Sequence, residues 1–266
     1  MVREDRPMSF FEHLDELRHR LVRAFIAFVI SFVVVLVIHI DWITISGVLV
    51  PFPAFSLNQP MAAQLLSWMI SFLTPEGVII TVLEAQEFFV QELRVGTFLA
   101  VAISMPVIVY ELAGFIAPAL HANERRLILQ IAAPSGLLFV LGVLFAFFLI
   151  LPFTFNFLYS LVPGNITRQL RVESFLDLVV PFLVAFGLAF ELPMIMVALS
   201  SLGVVKYTFW RQHWRVAILA AFVFGAVITP DGTGITMVLV ALPMTGLYAA
   251  GYVGSWAVGR NRRTKP

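Results

Sequence analysis

Apolar residues dominate this chain in long blocks, and the polar residues gather in the gaps between them. The first block runs from about Val22 to Ile40, close to the ~20 residues that cross a hydrocarbon core of ~30 Å. Further blocks at about 93–116, 127–151, 177–200, 216–229 and 235–258 give six predicted transmembrane helices. The fifth, Val216 to Thr229, spans only ~21 Å at 1.5 Å rise, short of a full bilayer. Ahead of the first block, Phe10, Leu14, Leu17 and Leu21 recur at three- and four-residue steps, which predicts an amphipathic helix from about Ser9. Pro106, Pro134 and Pro243 lie inside predicted spans and remove a backbone donor where they stand, which predicts kinks.

The first external loop, 41–92, is long and broken by Pro51, Pro53, Pro60 and Pro75. Leu65, Leu66, Trp68, Met69 and Phe72 predict a short amphipathic helix from Gln64 to Phe72, lying on the membrane. Thr74-Pro75-Glu76-Gly77 reads as a turn, and Val78 to Leu83 as an extended piece. A second external loop covers 152–176, with Pro163-Gly164-Asn165 as its turn, and Pro230-Asp231-Gly232 makes the last. Residues 201–215 are basic and aromatic, the pattern of an interfacial belt.

Composition agrees with an all-α integral membrane protein forming one transmembrane domain over 1–266. The chain is 60% hydrophobic and 12% charged, against ~25% charged in soluble domains. It has no cysteine, which excludes thiolate metal sites and thiol nucleophiles. Its five histidines are scattered, so neither a metal nor a cofactor is expected, and a net charge of +1 gives no sign of nucleic-acid binding. No H-E-x-x-H, G-x-S-x-G or intramembrane aspartate pair points to an enzyme. Of 17 Lys and Arg residues, all but Arg94, Arg168 and Arg171 fall on one side of a six-span arrangement, so both termini are expected in the cytoplasm, the C-terminus as a basic tail over 259–266.

Few charges remain to carry chemistry. Phe115 to Arg126 forms a cytoplasmic loop in which Glu124 sits beside Arg125 and Arg126. Glu124 either takes a cationic ligand or merely pairs with those arginines. Glu16 either faces the same ligand or belongs to a solvated helix face. Glu191, inside the fourth span, carries an insertion cost of about 2.5–3.5 kcal/mol and so faces the bundle or a wet cavity. Three readings stand for it: a packed polar group, the lining of a groove where partners dock, or a proton-carrying site. The last would suit a proton-coupled secondary transporter, although no internal repeat is visible.

Several motifs, in order, resemble one family. Glu12-His13-Leu14-Asp15-Glu16-Leu17-Arg18-His19-Arg20-Leu21 resembles the N-terminal signature of TatC, the large membrane subunit of the twin-arginine protein translocase. Met105-Pro106-Val107-Ile108-Val109-Tyr110, Phe115-Ile116-Ala117-Pro118-Ala119-Leu120 and Glu124-Arg125-Arg126-Leu127 are similar to its second span and first cytoplasmic loop. Ala185 to Pro193 is similar to its fourth span, and Thr229-Pro230-Asp231 to its last external turn; the likeness is weakest between Pro51 and Leu83. The resemblance implies a cup-shaped six-helix bundle in the cytoplasmic membrane of a prokaryote, assembled with TatA- and TatB-type single-span subunits in an oligomeric complex. It implies binding of signal peptides with consecutive arginines and export of folded proteins driven by the proton-motive force. By the same likeness Glu16 and Glu124 take the arginines, Phe115 and Pro106 shape the pocket, and Arg18, Arg20 and Arg126 fix it. Glu191, Thr229 and Asp231 are implied as polar positions where partner subunits dock.

Overall fold

The computed structural model describes residues 10–45, 48–56, 59–117, 122–163, 166–229 and 234–263. The elements in order are α1 (Phe10–Val37), β1 (Ile38–Ile45), β2 (Val48–Phe55), α2 (Met61–Leu73), β3 (Val78–Thr81), α3 (Ala85–Ile116) and α4 (Ala122–Phe145). A π-helical turn (Ala146–Ile150) and α5 (Leu151–Ser160) continue α4, and then come β4 (Arg168–Arg171), α6 (Val172–Phe190), α7 (Leu192–Ser201), α8 (Tyr207–Gln212), α9 (Trp214–Ile228) and α10 (Ile235–Arg263). Among the described residues, five helical stretches are long and apolar enough to cross a membrane: Phe11–Val37, Gln86–Ile116, Pro134–Ser160, Val172–Ser201 and Ile235–Arg260. Helix α9, fifth in chain order, completes the six spans, and its 15 residues reach only ~22 Å.

Several boundaries differ from the sequence reading, each for a local reason. The amphipathic stretch before the first span is not a separate helix: α1 is continuous from Phe10, because its 3.6-residue periodicity carries straight into the apolar run. It stops at Val37, and Ile38–Ile45 is strand rather than span. Helix α3 starts at Ala85, inside the expected first loop, and the third span continues to Ser160, well into the expected second. Pro152 does not end that span: it lies directly after the π-helical turn, which absorbs the irregularity within one continuous helical stretch. The fourth span breaks at Glu191, because Pro193 two residues on has no N–H for the helix ladder. Glu191 N–H instead bonds Leu188 at 3.1 Å, one tight turn. The expected basic tail is helical through Arg263. Residues 118–121, 164–165 and 230–233, which hold parts of three expected turns, lie outside the described residues, as does the start of the expected N-terminal helix at Ser9.

Two small sheets accompany the helices. Strands β1 and β2 form an antiparallel hairpin that pairs Ile40 with Pro53 and Trp42 with Pro51. The Gln64 side-chain amide bonds both the N–H and the C=O of Ile40, each at 3.1 Å. The backbone groups of Ile40 therefore point away from β2, and Pro53 occupies a position needing no inward donor. Period two places Pro51 likewise, so both prolines lie on the outer edge of β2 and blunt it against strand addition. Strand β3 pairs in parallel with β4, after a turn whose Gly77 takes φ of 81°.

Helix α2 forms as periodicity predicts, but its inner face is buried in protein rather than resting on lipid. Leu66, Met69 and Leu73 enter the core beside Val95 and Phe98 of α3 and Phe175, Val179 and Phe182 of α6. Trp68 and Phe72 face outward and stack on Phe147. Deeper crossings depend on glycine. A Cβ at Gly142 of α4 would lie 2.4 Å from the Phe186 carbonyl oxygen, and one at Gly187 of α6 2.6 Å from the Phe139 ring. Such close backbone approach is how helices gain contact where lipid gives no hydrophobic drive.

At the external end, the buried Glu87 carboxylate accepts from Leu83 N–H at 2.9 Å and Glu173 N–H at 3.3 Å. It thereby ties the starts of α3 and α6 together, with Arg171 3.6 Å away and Arg94 paired to Asp177 nearby. Helices α3 and α6 thus begin at the same end, so the α3 C-terminus and the α7 C-terminus both lie at the cytoplasmic end. There the Trp210 indole donates to the Ser200 hydroxyl at 2.9 Å and the Tyr248 hydroxyl to the Trp210 carbonyl at 2.6 Å. One member of the expected aromatic belt is thus turned inward, while Trp214 is half exposed beneath Arg215.

Candidate functional site

At the cytoplasmic end, the first turns of α1 cross the last turns of α3. The helical spacing of Glu16 and Arg20 puts them on one face, one turn apart, with the acid nearer the N-terminus as such pairs prefer. Arg20 Nε and Nη2 both donate to Glu16 Oε1, at 3.0 and 2.8 Å. Its third nitrogen, Nη1, donates to Glu111 Oε2 of α3 at 3.1 Å. Arg20 can lie across α3 because residue 114 is glycine: a Cβ there would be 2.0 Å from Nη1. These side chains are 18%, 19% and 11% exposed for Arg20, Glu16 and Glu111. At that burial their attraction is much stronger than for a pair in open water.

The cluster holds spare acceptor capacity. Glu16 Oε2 is buried and has no hydrogen-bond partner among the described residues. Glu111 Oε1 has Arg23 Nη1 at 3.7 Å, too long for a hydrogen bond, and Arg23 is 64% exposed. One wall is aromatic: the Phe115 ring stacks on His13 with centroids 4.4 Å apart. Of the residues proposed from sequence, Glu16 and Arg20 therefore meet, and Phe115 stands next to Gly114, stacked on His13. Arg18 is exposed and joins none of these contacts. Pro106 lies more than two turns back along α3 and packs on Gly136 of α4, away from the cluster. Glu124 falls in the first turn of α4 and Arg126 at the start of its second, but their side chains lie outside the described residues. Only five residues separate the end of α3 from the start of α4, so position 124 lies at the same end as Phe115. The sequence reading passed over Glu111; its signal was a carboxylate one turn before Phe115 on the same helix.

A second polar site lies mid-bundle. Glu191 is buried at the α6–α7 break. The Ser135 hydroxyl of α4 donates to its Oε2, and its Oε1 has no partner among the described residues. Thr229 is also buried, but its hydroxyl donates to Gly225 of its own helix at 2.8 Å. Asp231 lies outside the described residues.

The family model for the Sec-independent protein translocase protein (TatC) matches residues 12–243. The chain belongs to the TatC family. A relative from Cenarchaeum symbiosum, named Sec-independent protein translocase protein TatC, is 39% identical over 97% of each chain. The protein of that name from Escherichia coli K12 is 30% identical over 94% of this chain and 90% of its own. A crystal structure titled twin arginine translocase receptor TatC superposes with a TM-score of 0.71 at 31% identity, covering 92% of this chain and 99% of that one. This TatC-family chain is thus a multi-pass inner-membrane translocase component and not an enzyme. Membership sets aside the proton-coupled transporter alternative. It also agrees with a six-helix bundle, to which the two small sheets are additions.

Proposed function

We propose that this chain is the receptor subunit of a twin-arginine translocase. It binds signal peptides bearing consecutive arginines at the cytoplasmic rim. It then recruits TatA- and TatB-type single-span subunits for proton-motive-force-driven export of folded proteins. One observation carries the reading: a carboxylate proposed from sequence, Glu16, already grips a guanidinium in a half-buried site beside Phe115. Arginine stays charged and presents a planar fork of donors that matches carboxylates, whereas an ammonium is a point donor. Glu124, one short connection from Phe115, takes the second arginine of the pair. An exposed ion pair is worth only about 0–1 kcal/mol, so partial burial at the rim and the apolar segment of the signal supply the rest.

For partner subunits, the edge formed by α6, α9 and α10 fits a transmembrane helix. It bears a depression of about 410 Å³ floored by Ala185, Ala189, Ala217, Ala220 and Ala221. Small residues admit a partner helix to close range, and the short α9 favours a locally thinned bilayer there. Glu191 lies next to Leu192 of this lining, but its unpartnered oxygen is buried, so a docking helix reaches it only by opening the α6–α7 break.

The reading is checked with the full chain in lipid nanodiscs. A peptide with paired arginines is expected to bind at least about tenfold more tightly than the same peptide with paired lysines, the scale of one charge-assisted contact. Equal affinities would remove the receptor assignment.

A further inference from the structure

Two carboxylates, not one, converge on the guanidinium of Arg20, and among the described residues each keeps one oxygen without a hydrogen bond. We infer that Glu111 is a specificity-determining carboxylate of the signal-peptide site, with Arg20 as a resident stand-in that the arriving arginine displaces. The inference rests on the receptor reading above and adds to it a residue and an exchange.

The geometry fits exchange better than a permanent brace. Arg20 spends two of its donor nitrogens on the single oxygen Glu16 Oε1 and one on Glu111 Oε2. Its fork is split across two carboxylates, and it makes the parallel two-oxygen grip with neither. Glu16 Oε2 is left buried and unpartnered among the described residues. An arriving guanidinium takes up Glu16 Oε2, which is buried and reached as Arg20 leaves, and Glu111 Oε1, whose contact with the exposed Arg23 is too long for a hydrogen bond. Replacing one guanidinium by another leaves the charge of the cluster unchanged, so no new carboxylate is stranded in a desolvated site. Arg20 sits on a long flexible stem over a position with no side chain, Gly114, and swings toward solvent without backbone movement. Lysine cannot complete the exchange. Its ammonium lacks the planar fork that reaches across two carboxylates.

The test uses the full chain in nanodiscs with arginine-paired and lysine-paired peptides. Glu111→Gln keeps an acceptor for Arg20 and removes the charge. It is expected to weaken the arginine peptide at least about tenfold and the lysine peptide less, which lowers the preference between them. Glu111→Asp should retain part of that preference. Arg20→Ala removes the resident competitor and is expected to tighten binding of the arginine peptide. Ethylguanidinium, added to the wild-type chain, should compete with the peptide where ethylammonium does not, and this readout needs no variant to fold. Unchanged preference in Glu111→Gln, weaker or equal binding in Arg20→Ala, or equal competition by the two small cations would each overturn the inference. If the wild-type chain itself shows no preference for arginine, the receptor reading fails instead.

Discussion

Replacing Glu16 and Glu124 together by alanine is expected to weaken binding of a twin-arginine peptide by at least about a hundredfold. A hydrogen bond to a charged group contributes about 1.5–3 kcal/mol, and two such contacts are removed. At position 16 the loss has a second part. Arg20 makes two of its three hydrogen bonds to Glu16, so its guanidinium shifts wholly onto Glu111 and blocks that carboxylate as well. Glu124→Ala alone should already abolish crosslinking of the signal to this subunit, because the second arginine then has no partner. Insertion should be intact in each case, since both positions lie at the cytoplasmic end and Glu16 is no part of the apolar core cluster. Peptide titration of the doubly substituted chain, with its thermal unfolding as a control, gives the result. Binding within a few fold of wild type would contradict the assignment.

Gly142→Ala is expected to be the most damaging single substitution for the bundle itself. Its new methyl would fall 2.4 Å from the Phe186 carbonyl oxygen and 2.9 Å from two carbons of Phe190. The first of these is backbone and cannot rotate aside, so α4 and α6 must separate. Overpacking in a core costs about 1–3 kcal/mol even where side chains can adjust. A loss near the top of that range lowers the melting temperature by about 6–12 °C for a chain of this size. Gly246→Ala is the matched control, because nothing lies within 4 Å of a Cβ there, and its melting temperature should stay level or rise. Thermal unfolding of the two variants in the same detergent decides it.

The apolar runs made the spans legible, and they did so best where the chain is simplest. The shortness of α9 follows directly from its run, Val216 to Thr229, which Arg215 closes at one end and Thr229-Pro230 at the other. Boundaries failed where a signal has two structural meanings. The second external loop was expected from residue 152, yet Pro152 lies inside the helical continuation of the third span. Pro51 and Pro53 read as loop, yet both fit the outer edge of a strand. Helix α2 announced its periodicity, but whether its apolar face meets lipid or protein depends on α3 and α6, which local pattern does not encode. The same limit applies at the site. Glu16 was visible because it stands in a charged motif, whereas Glu111 needed the crossing of α1 over Gly114 to gain a role. Pro106 belongs to the same motif order as Phe115, but helix geometry separates them by more than two turns. Family likeness names residues that matter; only the fold tells which of them touch.

Glu191 shows how composition and packing divide the work. Its cost in an apolar span was legible from sequence, but its partner Ser135 was not, because the two come from different helices. The break that holds Glu191 between α6 and α7 follows from Pro193. One oxygen is thereby satisfied inside the bundle, and the other is buried without a hydrogen-bond partner among the described residues.

The receptor account is tested most directly by a photoreactive side chain placed at position 124 of the full chain in native membranes. Signals with paired arginines and with paired lysines are then presented in turn. The account predicts a strong crosslink to the arginine signal and little to the lysine signal. Equal yields, or none with arginine while positions elsewhere on the chain react, would contradict it.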